Sequence, residues 1–449
     1  MSIAGIFLFT RHGDRMGFYQ SPTTYTAKNT NLTVLGYSQE YKNGQDLRSM
    51  YLNGTNPIQG INATRAEGNQ LRISADAGGE GSVIVDSTNA LLQGLFPPFD
   101  DTITLANGQN VTWNLAQLIQ VQTVTSDEDV WFEGWTDCNS WQTRLNDWYA
   151  SKEFEAQAAI ANPFFESMQN ILGTGRPATL QNAWNLFDYL NVESIHNSSV
   201  QVTPEQLQYA RYWANYHEAG SFTDVDLHNP GNIAGQAFLS PLLTAVQDLA
   251  NSTNPLKFGY MSASYKPFLS LFTLMGLPSP LNDTVVDYAS AAVIEVHTDN
   301  TLRLLFRNGT EGDFEPFALF GSSNPNSYPV QDFVNKLEPY ALNDLSSWCN
   351  QCSTTNERGC DTLAALNGTG GAGYASVEST NGHHRVSPVV AGVIGAMVTL
   401  AIVAFALASW LLLGGLVKKH KRSSRDTASV STKAPSEKGL EQKVSPSQQ

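Results

Sequence analysis

The chain has 449 residues, of which 41% are hydrophobic and 10% aromatic, and a formal net charge of −15. This length and composition indicate a globular protein of two or three domains rather than a disordered chain. Residues 418–449 hold eight Lys and Arg against three Asp and Glu, which leaves −20 on the residues before them. Because nucleic-acid backbones bind clustered cations, so acidic a body is not expected to bind nucleic acid.

The first predicted element is a buried strand that runs into a charged loop. Residues 3–10, IAGIFLFT, are apolar and too short for a helix, so they predict a central strand of a parallel sheet. The loop that follows, RHGDR at residues 11–15, lies where α/β sheets hold their ligands. His12 could attack a phosphoryl group that the guanidinium forks of Arg11 and Arg15 hold. An ordinary salt-bridged surface loop is the alternative.

Residues 1–98 and 251–360 alternate short apolar segments with amphipathic ones and therefore predict an α/β core. The predicted segments are helix 31–52, strand 71–76, the glycine-rich link AGGEG at 77–81, helix 82–96, and strands 255–263, 288–299 and 301–309. Residues 99–250 carry long amphipathic stretches, which predict a mainly helical cap inserted into the core.

The end of the chain predicts a membrane anchor. Residues 361–388 are rich in Gly, Ser, Thr and Asn and predict a stalk. Residues 389–417 are apolar and uncharged, which predicts one transmembrane helix. The basic, polar residues 418–449 then predict a disordered cytoplasmic tail by the positive-inside rule. We therefore expect a single-pass membrane protein whose body is extracellular or lumenal.

Cysteines and glycosylation sequons agree with an exported body. Four cysteines predict two disulfides with three possible pairings, and a zinc site around residues 349–352 is the alternative. These cysteines are Cys138, Cys349, Cys352 and Cys360. Nine Asn-x-Ser/Thr sequons predict N-glycosylation. Their asparagines are Asn31, Asn53, Asn62, Asn110, Asn197, Asn251, Asn282, Asn308 and Asn367.

Export requires a signal peptide, and residues 1–9 lack the basic and apolar regions of one. Cleavage after them would also remove the strand that precedes RHGDR. We expect that an upstream segment is missing from this sequence. A cytoplasmic body on a tail anchor is the alternative, although it would carry the basic cluster across the membrane.

Over residues 3–365 the chain resembles the histidine acid phosphatases, the clade of fungal phytases and prostatic-type acid phosphatases. The matching segments are RHGDR (11–15), LTVLGYSQEYKNGQDLRSMY (32–51), LLQGLFPP (91–98), LFDYLNVESIHN (186–197) and YASAAVIEV (288–296), and Cys138 lies where the family has a disulfide cysteine. The resemblance implies a Rossmann-like, phosphoglycerate-mutase-like α/β core with a helical cap. It also implies hydrolysis of phosphate-bearing small molecules without a cofactor or metal. His12 would carry the phosphoryl group, and Arg11 and Arg15 would bind it.

Two groups of the resembled site are absent. The family's third phosphate-binding arginine aligns near Val83, yet no Lys, Arg or His occurs from Ile73 to Thr143. The family's His-Asp pair, whose Asp protonates the leaving alkoxide, aligns with Ser264 and Tyr265. Losing a general acid typically costs about 10²–10⁴ in rate. These departures indicate a degenerate site.

Two residues could compensate for the missing groups. Asp14 could donate the proton, and Lys266 could replace part of the missing positive charge. The His217-Glu218 dipeptide is predicted to be a surface pair on a cap helix. Two functions therefore remain open: a weak or atypical phosphatase, and an inactive family member that binds a phosphate-bearing ligand or acts as an interaction module.

Overall fold

The computed structural model describes residues 2–173 and 175–368, in which helices and strands alternate along the chain. The strands are β1 (Ile3–Arg11), β2 (Leu71–Ala75), β3 (Asp101–Thr104), β4 (Asn110–Trp113), β5 (Phe258–Ala263), β6 (Ala291–His297), β7 (Thr301–Arg307), β8 (Glu315–Phe317) and β9 (Tyr328–Pro329). The α-helices are α1 (Val34–Tyr51), α2 (Val83–Leu95), α3 (Asn139–Tyr149), α4 (Lys152–Ser167), α5 (Gln169–Leu172), α6 (Ala183–His196), α7 (Pro204–Phe222), α8 (Ile233–Ala250), α9 (Lys266–Leu274), α10 (Val330–Leu337), α11 (Leu345–Gln351) and α12 (Cys360–Gly368).

One mixed sheet organises the fold, with the strand order β2-β5-β1-β6-β7-β8 and β9 beside β7. β1, β2 and β5 are parallel, whereas β6 pairs antiparallel with β1. The predicted central position of β1 is confirmed, but its surroundings are mixed rather than parallel. Since β1, β2 and β5 point the same way, the loops that leave them meet at one edge of the sheet.

Alternate residues of β1 enter two apolar cores on opposite faces of the sheet. Phe7 and Phe9 pack in the larger core with residues of α8 and α9. Ile6 and Leu8 pack in the smaller core with residues of α1 and α2. Both faces of β1 are therefore covered, which is why its sequence is apolar without alternation.

Residues 99–250 contain the helices α3 to α8, together with an exposed β3–β4 hairpin that the sequence analysis did not predict. α8 packs directly on β1, so this part of the predicted cap forms a layer of the sheet. Its apolar residues are buried along most of the helix, as a layer helix requires. The division of the chain into core and cap stays a prediction.

The four cysteines form two disulfides, Cys138–Cys352 and Cys349–Cys360. All four sulfurs are therefore bonded in pairs, and none is a thiolate that could bind zinc, so the zinc alternative is wrong. The longer bridge joins the start of α3 to the end of α11. This bridge therefore ties α3 to α11.

Six of the nine sequon asparagines are exposed and two are partly buried. The exposed ones are Asn31, Asn53, Asn110, Asn197, Asn251 and Asn308, and the partly buried ones are Asn62 and Asn282. Asn367 lies at the end of α12. Surface positions suit a glycan, and N-glycosylation stays a prediction.

The predicted localisation requires correction. Among residues 2–173 and 175–368, no helix is both long enough and apolar enough to span a bilayer. A span needs about 20 consecutive apolar residues, whereas the longest described helix, α7, has 19 residues and carries several charges. This finding contradicts the single-pass assignment with an extracellular or lumenal body. The predicted span at 389–417, the stalk beyond 368 and the tail at 418–449 lie outside the described residues.

The two disulfides close loops of very different length, with sequence separations of 214 and 11 residues. In the chain-entropy description the longer loop restricts the unfolded chain more. Replacing Cys138 and Cys352 by Ser should lower the free energy of unfolding by about 5 kcal/mol, and replacing Cys349 and Cys360 by about 3 kcal/mol. Urea denaturation of the two double variants measures both losses. A larger loss for the short bridge would contradict this prediction.

Glu40 on α1 is fully buried, and burial raises its pKa to about 8. The folded protein therefore keeps a proton that the unfolded carboxyl group, with its ordinary value of 4.5, releases. This contribution to stability is complete below the unfolded pKa and declines as the pH rises towards 8. Between about pH 5 and pH 8 the urea midpoint of the parent should fall as the pH rises. The midpoint of Glu40→Gln should fall less over the same range. Parallel curves for the two proteins would contradict the prediction.

Candidate active site

His12 is the first residue after β1, and the backbone fixes it at the carboxyl edge of the sheet. Its N–H donates to the carbonyl of Ala263, and its carbonyl accepts from the N–H of Ala289. The imidazole Nδ1 lies 2.8 Å from the carbonyl oxygen of Gly13. Because a carbonyl can only accept, Nδ1 carries the proton and Nε2 presents its lone pair.

Burial and neighbouring cations keep this imidazole neutral. The side chain is 1% exposed, and desolvation holds the pKa of His12 well below its usual value. The guanidinium groups of Arg11 and Arg15 and the ammonium group of Lys266 lower the pKa further. A neutral imidazole with a free Nε2 is the form that can act as a nucleophile, and here it persists into the acidic range.

Arg11 and Arg15 flank His12 and are both buried. Arg15 forms a bidentate pair with Asp188 on α6, with nitrogen–oxygen distances of 3.0 and 3.2 Å. Burial lowers the pKa of Arg15, but the charges of Asp188, Tyr288 and Glu80 raise it by more. Arg11 donates to the carbonyl of Val286, and its guanidinium carbon lies 4.3 Å from the Tyr288 ring centroid.

The loop that carries His12 packs tightly against α1. A Cβ on Gly13 would lie 2.6 Å from the carbonyl oxygen of Gly36, and a Cβ on Gly36 would lie 2.1 Å from that of Asp14. Both positions therefore need glycine. The Asp14 carboxylate accepts from the hydroxyl of Thr33 and lies 2.7 Å from His196 Nε2. Both contacts are made by Oδ1, and Oδ2 has no hydrogen-bond partner among the described residues. The role of Asp14 as proton donor stays a prediction.

The residues that align with the family's His-Asp pair lie directly after β5. The Tyr265 hydroxyl donates to the Glu218 carboxylate over 2.7 Å and accepts from the Gln20 amide. Ser264 is buried at 2% exposure. Lys266, the first residue of α9, is also 2% exposed, and its Nζ lies 4.8 Å from the Trp135 ring centroid.

The predicted surface position of His217 and Glu218 is wrong, because α7 turns both residues inward. They are 1% and 0% exposed, and Nδ1 of His217 lies 2.7 Å from the Glu218 carboxylate. The hydroxyl of Tyr149 lies 2.8 Å from the other ring nitrogen. The pair is part of a buried polar network that reaches Tyr265. The residue pattern of α7 does not reveal this, because charged residues on a helix usually face solvent.

Glu80 is the neighbour of His12 that the sequence analysis missed. It lies in the AGGEG segment between β2 and α2, and its Oε2 is 3.5 Å from His12 Nε2 and 4.0 Å from Arg15 Nε. The sequence feature that could have identified Glu80 is an acidic residue between glycines, after a strand that ends at the same edge of the sheet as β1. Recognising it requires the strand order, which places β2 two positions from β1.

Three further largely buried carboxyl groups, those of Asp76, Asp129 and Glu133, form the wall of the site next to Glu80. Burial, and then the charges of Glu133 and Asp129, raise the pKa of Asp76 well above its usual value. Burial also raises the pKa of Glu133, against the lowering effect of Lys266. Among the described residues, no group of three or more His, Cys, Asp and Glu side chains has the arrangement to hold a metal ion.

The space beside Arg11 is small. It is a cavity of about 30 Å³ whose lining includes Trp184, Phe187, Arg211 and Tyr288. A single water needs roughly 10–15 Å³ of such volume, so this cavity, whose lining does not include His12, has room for about two waters.

A buried neutral histidine between two arginines, at the carboxyl edge of an α/β sheet, is an arrangement suited to phosphoryl transfer. Residues 6–308 match the family model described as histidine phosphatase superfamily, branch 2. The chain belongs to this superfamily.

The similar proteins include acid phosphatases and phytases. Prostatic acid phosphatase of Bos taurus is 23% identical over 374 residues, which are 80% of this chain and 89% of that protein. The phytase of Klebsiella sp ASR1 superposes with a TM-score of 0.53 at 14% identity, covering 77% of this chain and 97% of its own. The phytase of Citrobacter braakii gives 0.53 at 13% identity, with 78% and 99% covered. At these identities the structural likeness establishes the fold.

Asp188→Asn should destabilise the protein strongly, because it leaves the buried guanidinium of Arg15 without its carboxylate. Breaking a buried ion pair costs about 3–5 kcal/mol. Asp248→Asn is the matched control, since it breaks the pair of Asp248 with the partly exposed Arg72 and should cost less than about 1 kcal/mol. Urea unfolding at neutral pH compares the variants. Equal losses would show that burial does not set the strength of the Arg15 pair.

Proposed function

We propose that the protein hydrolyses phosphomonoesters through a phosphohistidine formed at His12. One observation carries the proposal: a neutral imidazole, with Nδ1 fixed by the Gly13 carbonyl, directs Nε2 into a site flanked by two buried arginines. Membership of the histidine phosphatase superfamily and the names of the related acid phosphatases and phytases support the same reaction and substrate class.

The cations around His12 would bind the phosphoryl oxygens. Arg11 and Arg15 each have an Nε without a hydrogen-bond partner among the described residues, so each keeps a donor for an anion. Lys266 adds a third positive charge that already acts on the His12 imidazole. It would replace part of the charge of the third arginine that the sequence lacks near Val83.

The positions that align with the family's proton donor supply no acid for esters with poor leaving groups. Ser264 and Tyr265 align with the proton-donating pair of the resembled enzymes, and the Tyr265 hydroxyl is bonded to Glu218. Without a proton, an alkoxide is a poor leaving group, whereas a phenolate with electron-withdrawing groups departs readily.

A second candidate is a family member that binds a phosphate-bearing ligand without hydrolysing it. The replacement of the proton-donating pair by Ser264 and Tyr265 favours this alternative, because the cations that would bind phosphate are kept while the aligned proton donor is lost.

His12→Ala in the full-length protein distinguishes the two functions. We expect the parent to release phenolate from p-nitrophenyl phosphate under acidic conditions, and the variant to lose this activity because no nitrogen can receive the phosphoryl group. The assay follows phenolate release, and acid-labile phosphate on the protein reports the intermediate. A parent that is stabilised by inorganic phosphate but shows no turnover would support the binding function.

A further inference from the structure

The carboxyl group of Glu80 faces the nitrogen that the proposed function uses as nucleophile. Its Oε2 lies 3.5 Å from His12 Nε2 and 4.0 Å from Arg15 Nε, and the side chain is 8% exposed. This oxygen has no hydrogen-bond partner among the described residues. A buried polar atom without a partner is costly to maintain, so one that contacts a reactive nitrogen indicates a role towards a ligand.

We propose that Glu80 is the catalytic residue that gives a proton to the leaving group and later takes one from water. This inference rests on the proposed function and adds a group that the alignment with the family does not provide. It assigns to the glycine-rich segment 77–81 the task that the resembled enzymes give to their His-Asp pair.

Glu80 lies on the side of the site where phosphoryl transfer needs a proton donor. In an in-line displacement the attacking nitrogen and the departing oxygen lie on opposite sides of phosphorus. The carboxyl group that faces Nε2 is therefore the one that meets the leaving oxygen once a phosphoryl group lies between them.

A separation of 3.5 Å leaves no room for that phosphoryl group, so Glu80 has to move outward when an ester binds. Glycines at 78, 79 and 81 flank it and permit such a change of the backbone. Gly81 already has a positive φ of 78°, a conformation that other residues rarely adopt.

The other acidic and phenolic groups near the nucleophile are engaged elsewhere. Both carboxylate oxygens of Asp188 accept from Arg15. Oδ1 of Asp14 lies 2.7 Å from His196 Nε2, whereas its Oδ2 has no hydrogen-bond partner among the described residues but is not paired with His12 either. The Tyr265 hydroxyl donates to a carboxylate on α7. Glu80 alone among these groups presents an unengaged oxygen to Nε2.

The reaction balances in two steps. In the first, the Nε2 lone pair forms the N–P bond, the P–O ester bond breaks, and the Glu80 carboxyl proton passes to the departing oxygen, which leaves as an alcohol. In the second, a water oxygen attacks phosphorus, the N–P electron pair returns to Nε2, and the Glu80 carboxylate takes the water proton. Phosphate departs and the carboxyl group is restored.

Glu80→Gln in the full-length protein tests the assignment with two substrates. On an alkyl phosphate, kcat/KM should fall by about 10²–10⁴-fold, because the alkoxide loses its proton donor. On 2,4-dinitrophenyl phosphate, kcat/KM should stay within about tenfold of the parent, because this leaving group needs no proton. Hydrolysis of the intermediate should also slow, so that radiolabelled phosphohistidine accumulates after rapid quenching.

Three further variants serve as controls. Asp14→Asn removes the rival carboxyl group, and Glu133→Gln removes a buried carboxyl group from the adjoining wall; both should keep the parent's ratio of alkyl to aryl rates. Glu80→Asp retains a carboxyl group and should recover part of the alkyl activity, which keeps the test decisive if the Gln variant does not fold.

The outcomes separate the two proposals. Equal losses on both esters in Glu80→Gln, or a selective alkyl loss in Asp14→Asn instead, would show that Glu80 is not the proton donor while hydrolysis at His12 still holds. A parent that neither turns over the activated ester nor forms phosphohistidine would overturn the proposed function, and the role of Glu80 with it.

Discussion

The structure depends on holding two arginines and a histidine, side by side, at a buried edge of the sheet. Charges there need opposite charges, hydrogen-bond acceptors or aromatic rings beside them, because burial removes the water that would otherwise solvate them. Asp188 pairs with Arg15 from α6, and Glu80 approaches His12 and Arg15 from the segment after β2. The site therefore ties the sheet to the helices packed over it.

The same electrostatic constraint sets the chemistry. Burial, and then the cations that would attract a phosphate, hold the pKa of His12 low, so the imidazole remains neutral with a free Nε2. The carboxyl groups of Asp76 and Glu133 have raised pKa values because they are buried near one another. The neighbourhood of the nucleophile thus combines an uncharged base with carboxyl groups whose pKa values are raised.

The family match identifies the fold, whereas the local geometry shows which groups are present at the site. Residues 6–308 define the superfamily, yet the residues aligned with its proton donor include a tyrosine bonded to Glu218. Tyr265 links Arg11 to the buried pair of His217 and Glu218: its ring centroid lies 5.3 Å from the Arg11 guanidinium carbon, and its hydroxyl donates to Glu218. A fold can persist while the groups at its site change, because the sheet and helices are held by apolar packing that these substitutions leave intact.

The sequence by itself determined the strand 3–10, the RHGDR loop and the alternation of the core, because each depends on residues close together in the chain. It also determined that the cysteines pair, but not which ones, since pairing requires α3 and α11 to meet. Tertiary structure decided the antiparallel β6, the inward turn of His217 and Glu218, and the contact of Glu80 with His12. Each of these depends on strand order or helix rotation, and both are set by packing between segments that lie far apart in the chain.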